Sequence, residues 1–249
     1  MSLSSRFALV FVAVVLCFGV AFGQDAAPVA PASPAVDAAA PTPAAPAADA
    51  ASAPVAPAVP APAPAQEELK VGTTLENLQA AFDGESNARE RYLAFAARAE
   101  EEKYFQVARL FRATAKSEEI HVAARAKLIE AMGGKPTADI KKPEVKSTKE
   151  NLEAAAKGEI FESEKMYPAF AKKAEEEKQD KPMKIFKGTA EIEGDHAEMY
   201  QAALANLEAM KEAKTEYLVC TVCGETTTDM EIKKCPVCEA PREKFENIK

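Results

Sequence analysis

The chain is 249 residues long, 28% of them charged, with a formal net charge of -8 at pH 7. That balance excludes nucleic acid as a partner held by phosphate neutralisation, which needs clustered cations. The composition is also uneven: an apolar and then Ala/Pro-rich first quarter precedes a remainder rich in Ala, Glu, Lys and Leu, which suits helices.

Residues 1–23 read as a secretory signal peptide. Arg6 gives a positive start, Phe7 to Phe22 an apolar run, and Ala21-Phe22-Gly23 a small-residue cleavage site. The run spans about 16 residues, short of the roughly 20 that cross a bilayer. Cleavage and export to the periplasm or cell envelope are therefore expected, with membrane contact only if the segment is retained. Cys17 lacks a small residue just before it, so lipidation is not expected. Residues 24–66 are Ala, Pro and Val with Pro recurring every few residues. This excludes helix and central strand and predicts a semi-rigid tether of at most about 130 Å.

The helical region, expected over 67–214, opens at Thr73 with Glu76 three residues on, a capping box. Apolar residues then recur at helical spacing through Leu75, Leu78, Phe82, Ala88, Tyr92 and Phe95. A second helix is predicted from about Phe105 to Met132, stopped by Gly133-Gly134. A Lys/Pro-rich connection runs to about Lys146. Ser147 and Glu150 form another capping box and open a third helix. Lys178 to Lys181 is a polar break, and Pro182 fits the first turn of a fourth helix running to about Ala213. The expected fold class is all-α: a four-helix bundle, then a small metal-knuckle domain over 215–249.

The two helix pairs are copies. Asn77-Leu78 matches Asn151-Leu152 and Glu85 matches Glu159, at an offset of 74 (159 - 85). Tyr92 matches Tyr167, Phe111 matches Phe186, Glu118 matches Glu193 and His121 matches His196, at 75 (196 - 121). One residue is therefore inserted between Glu159 and Tyr167, which predicts a π-bulge. Pro168 predicts a kink beside it.

The repeat carries chemistry. The only two histidines lie in Glu118-Glu119-Ile120-His121 and Glu193-Gly194-Asp195-His196. In each E-x-x-H motif Glu and His share a helix face and can reach one metal ion. Two such helices, plus one Glu from each of two others, make the ligand pattern of a carboxylate-bridged di-iron site. Glu85 and Glu159 supply the latter, set in apolar stripes where an unpaired charge would be costly. Glu162, three residues after Glu159, adds one carboxylate that the other half lacks. Tyr92 and Tyr167, about two turns beyond Glu85 and Glu159, could each bring a hydroxyl near the metals. The runs Glu100-Glu101-Glu102 and Glu175-Glu176-Glu177 are expected to form a solvated face.

At the C-terminus, Cys220 and Cys223, then Cys235 and Cys238, form two C-x-x-C pairs. That spacing suits a tetrahedral thiolate metal site, and disulfides are the competing reading for an exported chain. Zinc and iron both fit the spacing.

From about Thr73 onward the chain resembles rubrerythrin, a ferritin-like di-iron bundle followed by a rubredoxin-like domain. The stretches that carry this are Ala81 to Ser86, Arg89 to Tyr92, both E-x-x-H motifs, Glu159 through Glu162 to Pro168, and the cysteines with Phe245-Glu246. The resemblance implies that Glu85, Glu118, His121, Glu159, Glu162, Glu193 and His196 are the di-iron ligands. Glu162 would exchange with His121 on one iron as the redox state changes. It implies one iron on the four cysteines, and a homodimer that brings this domain close to the partner's di-iron centre. It further implies reduction of hydrogen peroxide to water, with Glu162, Tyr92 and Tyr167 as candidate catalytic groups. Export rules out a cytoplasmic NAD(P)H reductase as direct donor, so an extracytoplasmic electron donor is expected. The competing functions are a ferroxidase or iron-handling protein and a non-catalytic metal-binding envelope module. Two departures stand out: the N-terminal export and tether segments, and Glu239 after Cys238 where the family usually has Gly.

Overall fold

The computed structural model describes residues 69–212 and 214–248. The predicted signal peptide with Cys17, and the whole of the tether, lie outside the described residues.

The capping box at Thr73 forms as predicted: its side chain accepts the Glu76 N–H, and Glu76 reaches back to the Thr73 N–H at 2.7 Å. Helix α1 (Thr74–Glu101) follows and pairs with α2 (Phe105–Ala131). The long connection after α2 returns along α1, where Asp83 and Asn87 accept the backbone N–H groups of Asp139 and Lys141 at 2.7 and 2.8 Å. Ser147 and Glu150 then cap α3 (Thr148–Phe161). A π-helical segment, Glu162–Met166, joins α3 to α4 (Tyr167–Glu176). The predicted insertion is thus absorbed as a π-bulge, with Pro168 in the first turn of α4. Helix α5 (Asp180–Ala205) packs on α3 and α4. It ends at Ala205, eight residues before the expected Ala213 (213 - 205), with Asn206 as its C-cap, and a 3-10 turn covers Leu207–Lys211. Among the described residues no helix is long and apolar enough to cross a membrane.

The core repeats with the sequence. Tyr92, Phe95 and Phe111 pack together in one half, with Tyr92 and Phe111 stacked at 5.9 Å. Their copies Tyr167, Phe170 and Phe186 do the same in the other, with Tyr167 and Phe186 stacked at 6.0 Å. Face-offset and edge contacts at these distances favour a fixed ring arrangement.

Two residues of the acidic runs are not simply solvated, contrary to the expectation. Glu102, after α1, accepts the backbone N–H of Thr148 at the start of α3 at 2.9 Å. Its copy Glu177, after α4, accepts the N–H of Thr74 at the start of α1 at 2.8 Å. The first N–H groups of a helix have no intrahelical partner, and a carboxylate there suits the helix dipole. Each half therefore caps the other.

The cysteine segment adds a three-stranded antiparallel sheet to the helical fold. Its strands are β1 (Tyr217–Cys220), β2 (Thr226–Thr227) and β3 (Phe245–Ile248), in the order β2-β1-β3. The sheet packs on α2, and Leu218, Cys220, Cys235 and Phe245 form its own small core.

Candidate metal centres

Four helical segments aim carboxylates inward because each has a Glu in its apolar stripe. Two overlapping groups result: Glu85, Glu118, His121 and Glu193, and Glu118, Glu159, Glu193 and His196. Within each, one ligand atom per residue lies within 4.8 Å of all the others. Glu118 and Glu193 belong to both groups, so they are placed to bridge, while Glu85 with His121 and Glu159 with His196 are the end pairs. All six side chains are buried. Glu162 is half-buried at the head of the π segment and belongs to neither group.

Without a cation this cluster is poorly satisfied. Glu85 Oε2, both carboxylate oxygens of Glu193 and His196 Nδ1 have no hydrogen-bond partner among the described residues. Glu193 Oε2 and His196 Nδ1 are 2.8 Å apart yet are not aligned as a hydrogen bond. Burial, then the charges of Glu85 and Glu193, push Glu118 well above the usual carboxylate range. Burial and Glu193 do the same to Glu159. Burial also works to raise Glu85, but Arg125 and His121 beside it outweigh that and hold it low. Burial alone would lower His121, whereas Glu193 and Glu85 lift it to about 9. Crowded buried carboxylates with orphaned lone pairs are what divalent cations relieve. The donor set, carboxylates with one imidazole at each end, fits two iron ions.

The predicted tyrosines reach across the repeat. The Tyr92 hydroxyl donates to Glu159, and the Tyr167 hydroxyl donates to Glu85. Burial first, then the neighbouring carboxylate, pushes both phenols well above their ordinary pKa, so both keep their protons.

The outward nitrogen of each histidine meets the cysteine domain. His121 Nε2 lies 3.0 Å from the Cys223 carbonyl, which can only accept, so Nε2 carries a proton, and Nδ1 faces the carboxylates, 3.2 Å from Glu118 Oε2 and 3.1 Å from Glu193 Oε1, as the nitrogen that would be offered to a metal. His196 Nε2 lies 3.1 Å from Thr226 Oγ1. Ser117 Oγ donates to the Gly224 carbonyl at 2.7 Å. Gly224 has φ +94°, and a Cβ there would sit 2.5 Å from Ser117 Oγ and 2.6 Å from His121 Nε2. Only glycine allows this approach. The cysteine domain lies on the bundle of its own chain. A cavity of about 190 Å³ beside the contact is lined by His121, Arg125, Thr189, Cys223 and Cys238 among others.

The four cysteines are free, and their sulfurs form a compact group. Cys220 Sγ is 3.7 Å from Cys238 Sγ, and Cys223 Sγ is 3.5 Å from Cys235 Sγ. These separations are far beyond a disulfide bond and close to the ~3.8 Å edge of a tetrahedron with ~2.3 Å metal–sulfur bonds. The hydrogen bond from Cys223 holds the Cys220 thiol down at about 5, ready for a cation. Glu239 adopts φ 61°, the left-handed conformation glycine would supply, and pairs with Lys234 at 2.7 Å.

The sequence marks Gly224 as a knuckle residue and Thr189 as the copy of Thr114, but it does not reveal the approach of Gly224 to His121, the contact of Thr189 with Arg125, or Arg125 itself. Arg125 sits four residues after His121 on the same helix face, which was the available signal.

Comparison with known proteins gives a consistent result. A family model described as rubrerythrin matches residues 76–204, and one described as the rubredoxin-like domain of rubrerythrin matches 219–246. Nigerythrin of Nitratidesulfovibrio vulgaris is 40% identical over 184 residues, covering 73% of this chain and 89% of that protein. Rubrerythrin of Porphyromonas gingivalis is 37% identical over 187 residues, covering 74% and 94%. A structure of nigerythrin in a partially reduced state aligns with a TM-score of 0.68 at 38% identity, covering 74% of this chain and 90% of that one.

Proposed function

The chain belongs to the rubrerythrin family, with a di-iron centre and a four-cysteine iron site, and on that premise we propose that it is a peroxidase reducing hydrogen peroxide to water. The observation that carries the reading is the single hydrogen bond between His121 and the Cys223 carbonyl. It joins a ligand of one centre to a ligand residue of the other within one chain.

When bound, the iron pair would supply Lewis acidity and two electrons for peroxide, and an iron held by Cys220, Cys223, Cys235 and Cys238 would supply their one-electron replacement. The protein's side chains set the conditions. Glu85, Glu118, His121, Glu159, Glu193 and His196 hold the pair. Tyr92 and Tyr167 fix the two end carboxylates and keep protons in reach. The cysteine domain covers both imidazoles and excludes water from that side. Glu162 stands outside the cluster while His121 stands inside it, the arrangement expected if the two exchange. Burial, then the charges of Glu85 and Glu193, push its pKa well above the usual carboxylate range.

A ferroxidase would need the same bundle but not the joined cysteine domain. Rapid mixing of the anaerobically reduced protein with peroxide or dioxygen separates the two. Peroxide should oxidise the di-iron centre faster; equal or slower oxidation defeats the peroxidase reading. Glu162→Ala should retain two irons and turn over peroxide poorly.

The N-terminal sequence supports export, and with it an extracytoplasmic electron donor. N-terminal sequencing of the mature protein should begin near Gln24; a start at Met1 or Ser2 would count against cleavage.

A further inference from the structure

The two halves treat one pair of copied positions differently. Arg125 and Tyr200 correspond at the offset of 75 (200 - 125). Each lies one turn beyond the histidine of its motif, and both are fully buried. Tyr200 meets the hydroxyl of Thr114 at 2.5 Å. Arg125 donates to the copied threonine, Thr189, at 2.9 Å. The same packing position is therefore filled by a neutral side chain in one half and a charged one in the other.

Arg125 makes further contacts that Tyr200 does not. Its Nη2 is 3.1 Å from Glu85 Oε1, and its Nη1 donates to the His121 carbonyl at 3.3 Å. Its guanidinium lies 5.4 Å from the centre of the Tyr167 ring, whose hydroxyl also donates to Glu85. Glu85 is thus held by a tyrosine and a buried cation, whereas a tyrosine holds Glu159. The other nearby cation, Arg91, lies 5.3 Å from the centre of the Tyr92 ring but is only half-buried, so water screens it.

A buried guanidinium is a poor way to fill space. Its Nε–H has no acceptor among the described residues. Apolar or neutral replacements of buried ion pairs are often as stable or more so, and Tyr200 shows that this fold accepts one. Its charge is what distinguishes Arg125. A fixed positive charge in a dry interior acts strongly on a neighbouring ion and disfavours the higher oxidation state.

We propose that Arg125 is a positioning residue that makes the two iron sites unequal. It locks Glu85 in one orientation and raises the reduction potential of the iron held by Glu85 and His121 above that of the iron held by Glu159 and His196. In the one-electron-reduced centre the ferrous ion sits on the Glu85 side, beside the imidazole that touches Cys223. One electron would leave an iron on the four cysteines, taking it from ferrous to ferric, and would take the Glu85-side iron from ferric to ferrous, the change of oxidation state that the exchange of Glu162 for His121 accompanies. The inference rests on the di-iron centre and holds whichever oxidant that centre meets.

The test is a redox titration of the full iron-loaded chain, following the mixed-valence signal by electron paramagnetic resonance, with iron content measured in every variant. Arg125→Tyr installs the residue used at the copied position. It should lower the midpoint for the first electron by about tenfold in equilibrium constant, ~59 mV for one electron. Arg125→Lys should stay near the unaltered protein, and Arg91→Gln should shift the midpoint less than Arg125→Tyr. Arg125→Gln is judged by the same criterion if tyrosine blocks iron loading. An unchanged midpoint in the iron-loaded neutral variant overturns the proposal, and so does a lysine variant as low as the neutral one. Peroxide reacting no faster than dioxygen would defeat the peroxidase reading and leave these midpoints untouched.

Discussion

Glu177, just past the end of α4, accepts the backbone N–H of Thr74 at the start of α1, and Glu102 makes the copied contact to Thr148. Each carboxylate closes the opposite half of the bundle. Hydrogen bonds to Thr74 and Thr148 lower the pKa of Glu177 and Glu102. A carboxylate lowered by folding stabilises the fold above its unfolded pKa, and that contribution disappears as pH falls through the folded value. Glu102→Gln and Glu177→Gln should therefore lower the melting temperature near neutrality and differ little from the parent in acid. Because the caps sit on different helix starts, the double variant should lose about the sum of the single losses. Melting curves from about pH 7 down to about pH 3 test this; a deficit that persists at the acid end would assign it to something other than the charged cap.

Lys103 and Lys178 occupy copied positions after those caps, with φ 65° and 58°. Tyr104 N–H bonds to the Ala99 carbonyl and Gln179 N–H to the Ala174 carbonyl, closing the same helix-ending loop. A side chain in that conformation costs about 1 kcal/mol relative to glycine. Lys103→Gly and Lys178→Gly should each stabilise by about that amount in denaturant titrations, without altering iron content. Glu239→Gly should act the same way on the cysteine domain, since its exposed pair with Lys234 contributes little.

Gly224→Ala should be far more damaging. The added methyl meets Ser117 and the ring nitrogen of His121, and alanine also resists φ +94°. The strain is of order 1–3 kcal/mol and falls on the contact between the two centres. The expected result is a protein that still holds both kinds of iron but passes electrons between them slowly. Stopped-flow reoxidation of the cysteine-bound iron after peroxide measures this; an unchanged rate would show that the contact is not the route.

Tyr92→Phe and Tyr167→Phe each remove a donor from a buried carboxylate. Loss of a hydrogen bond costs roughly 1.5–3 kcal/mol where the buried partner is charged, as Glu85 is held, and about 1 kcal/mol where it is neutral, as burial and Glu193 make Glu159. Both variants should melt earlier without metal and recover much of the difference when iron is bound, because the ion then satisfies the freed oxygen. Calorimetry with and without iron tests the pair.

The bundle was legible in the sequence because its signals are local and repeated. The capping boxes at Thr73 and Ser147, the 74-to-75 change of offset and the two E-x-x-H motifs each map onto one feature of the fold. What was not legible depends on contacts far apart in the chain. Glu102 and Glu177 read as part of solvated acidic runs, because nothing nearby reveals the helix start each one meets. Arg125 reads as an ordinary helix charge until α5 brings Thr189 against it and α1 brings Glu85. The contact of His121 with Cys223 joins residues about a hundred positions apart. The end of α5 was misplaced because the Ala/Glu-rich composition continues past Asn206, where the backbone tightens into a 3-10 turn.

The π segment at Glu162–Met166 also bears on how the two halves came to differ. Glu85 and Tyr92 are seven residues apart, Glu159 and Tyr167 eight, yet both pairs point inward. A widened turn takes up the spare residue, so everything downstream keeps its facing. The difference in length between the copies is therefore one codon deep. A duplicated gene could acquire it in a single event without passing through an unfolded product, and could shed it as simply.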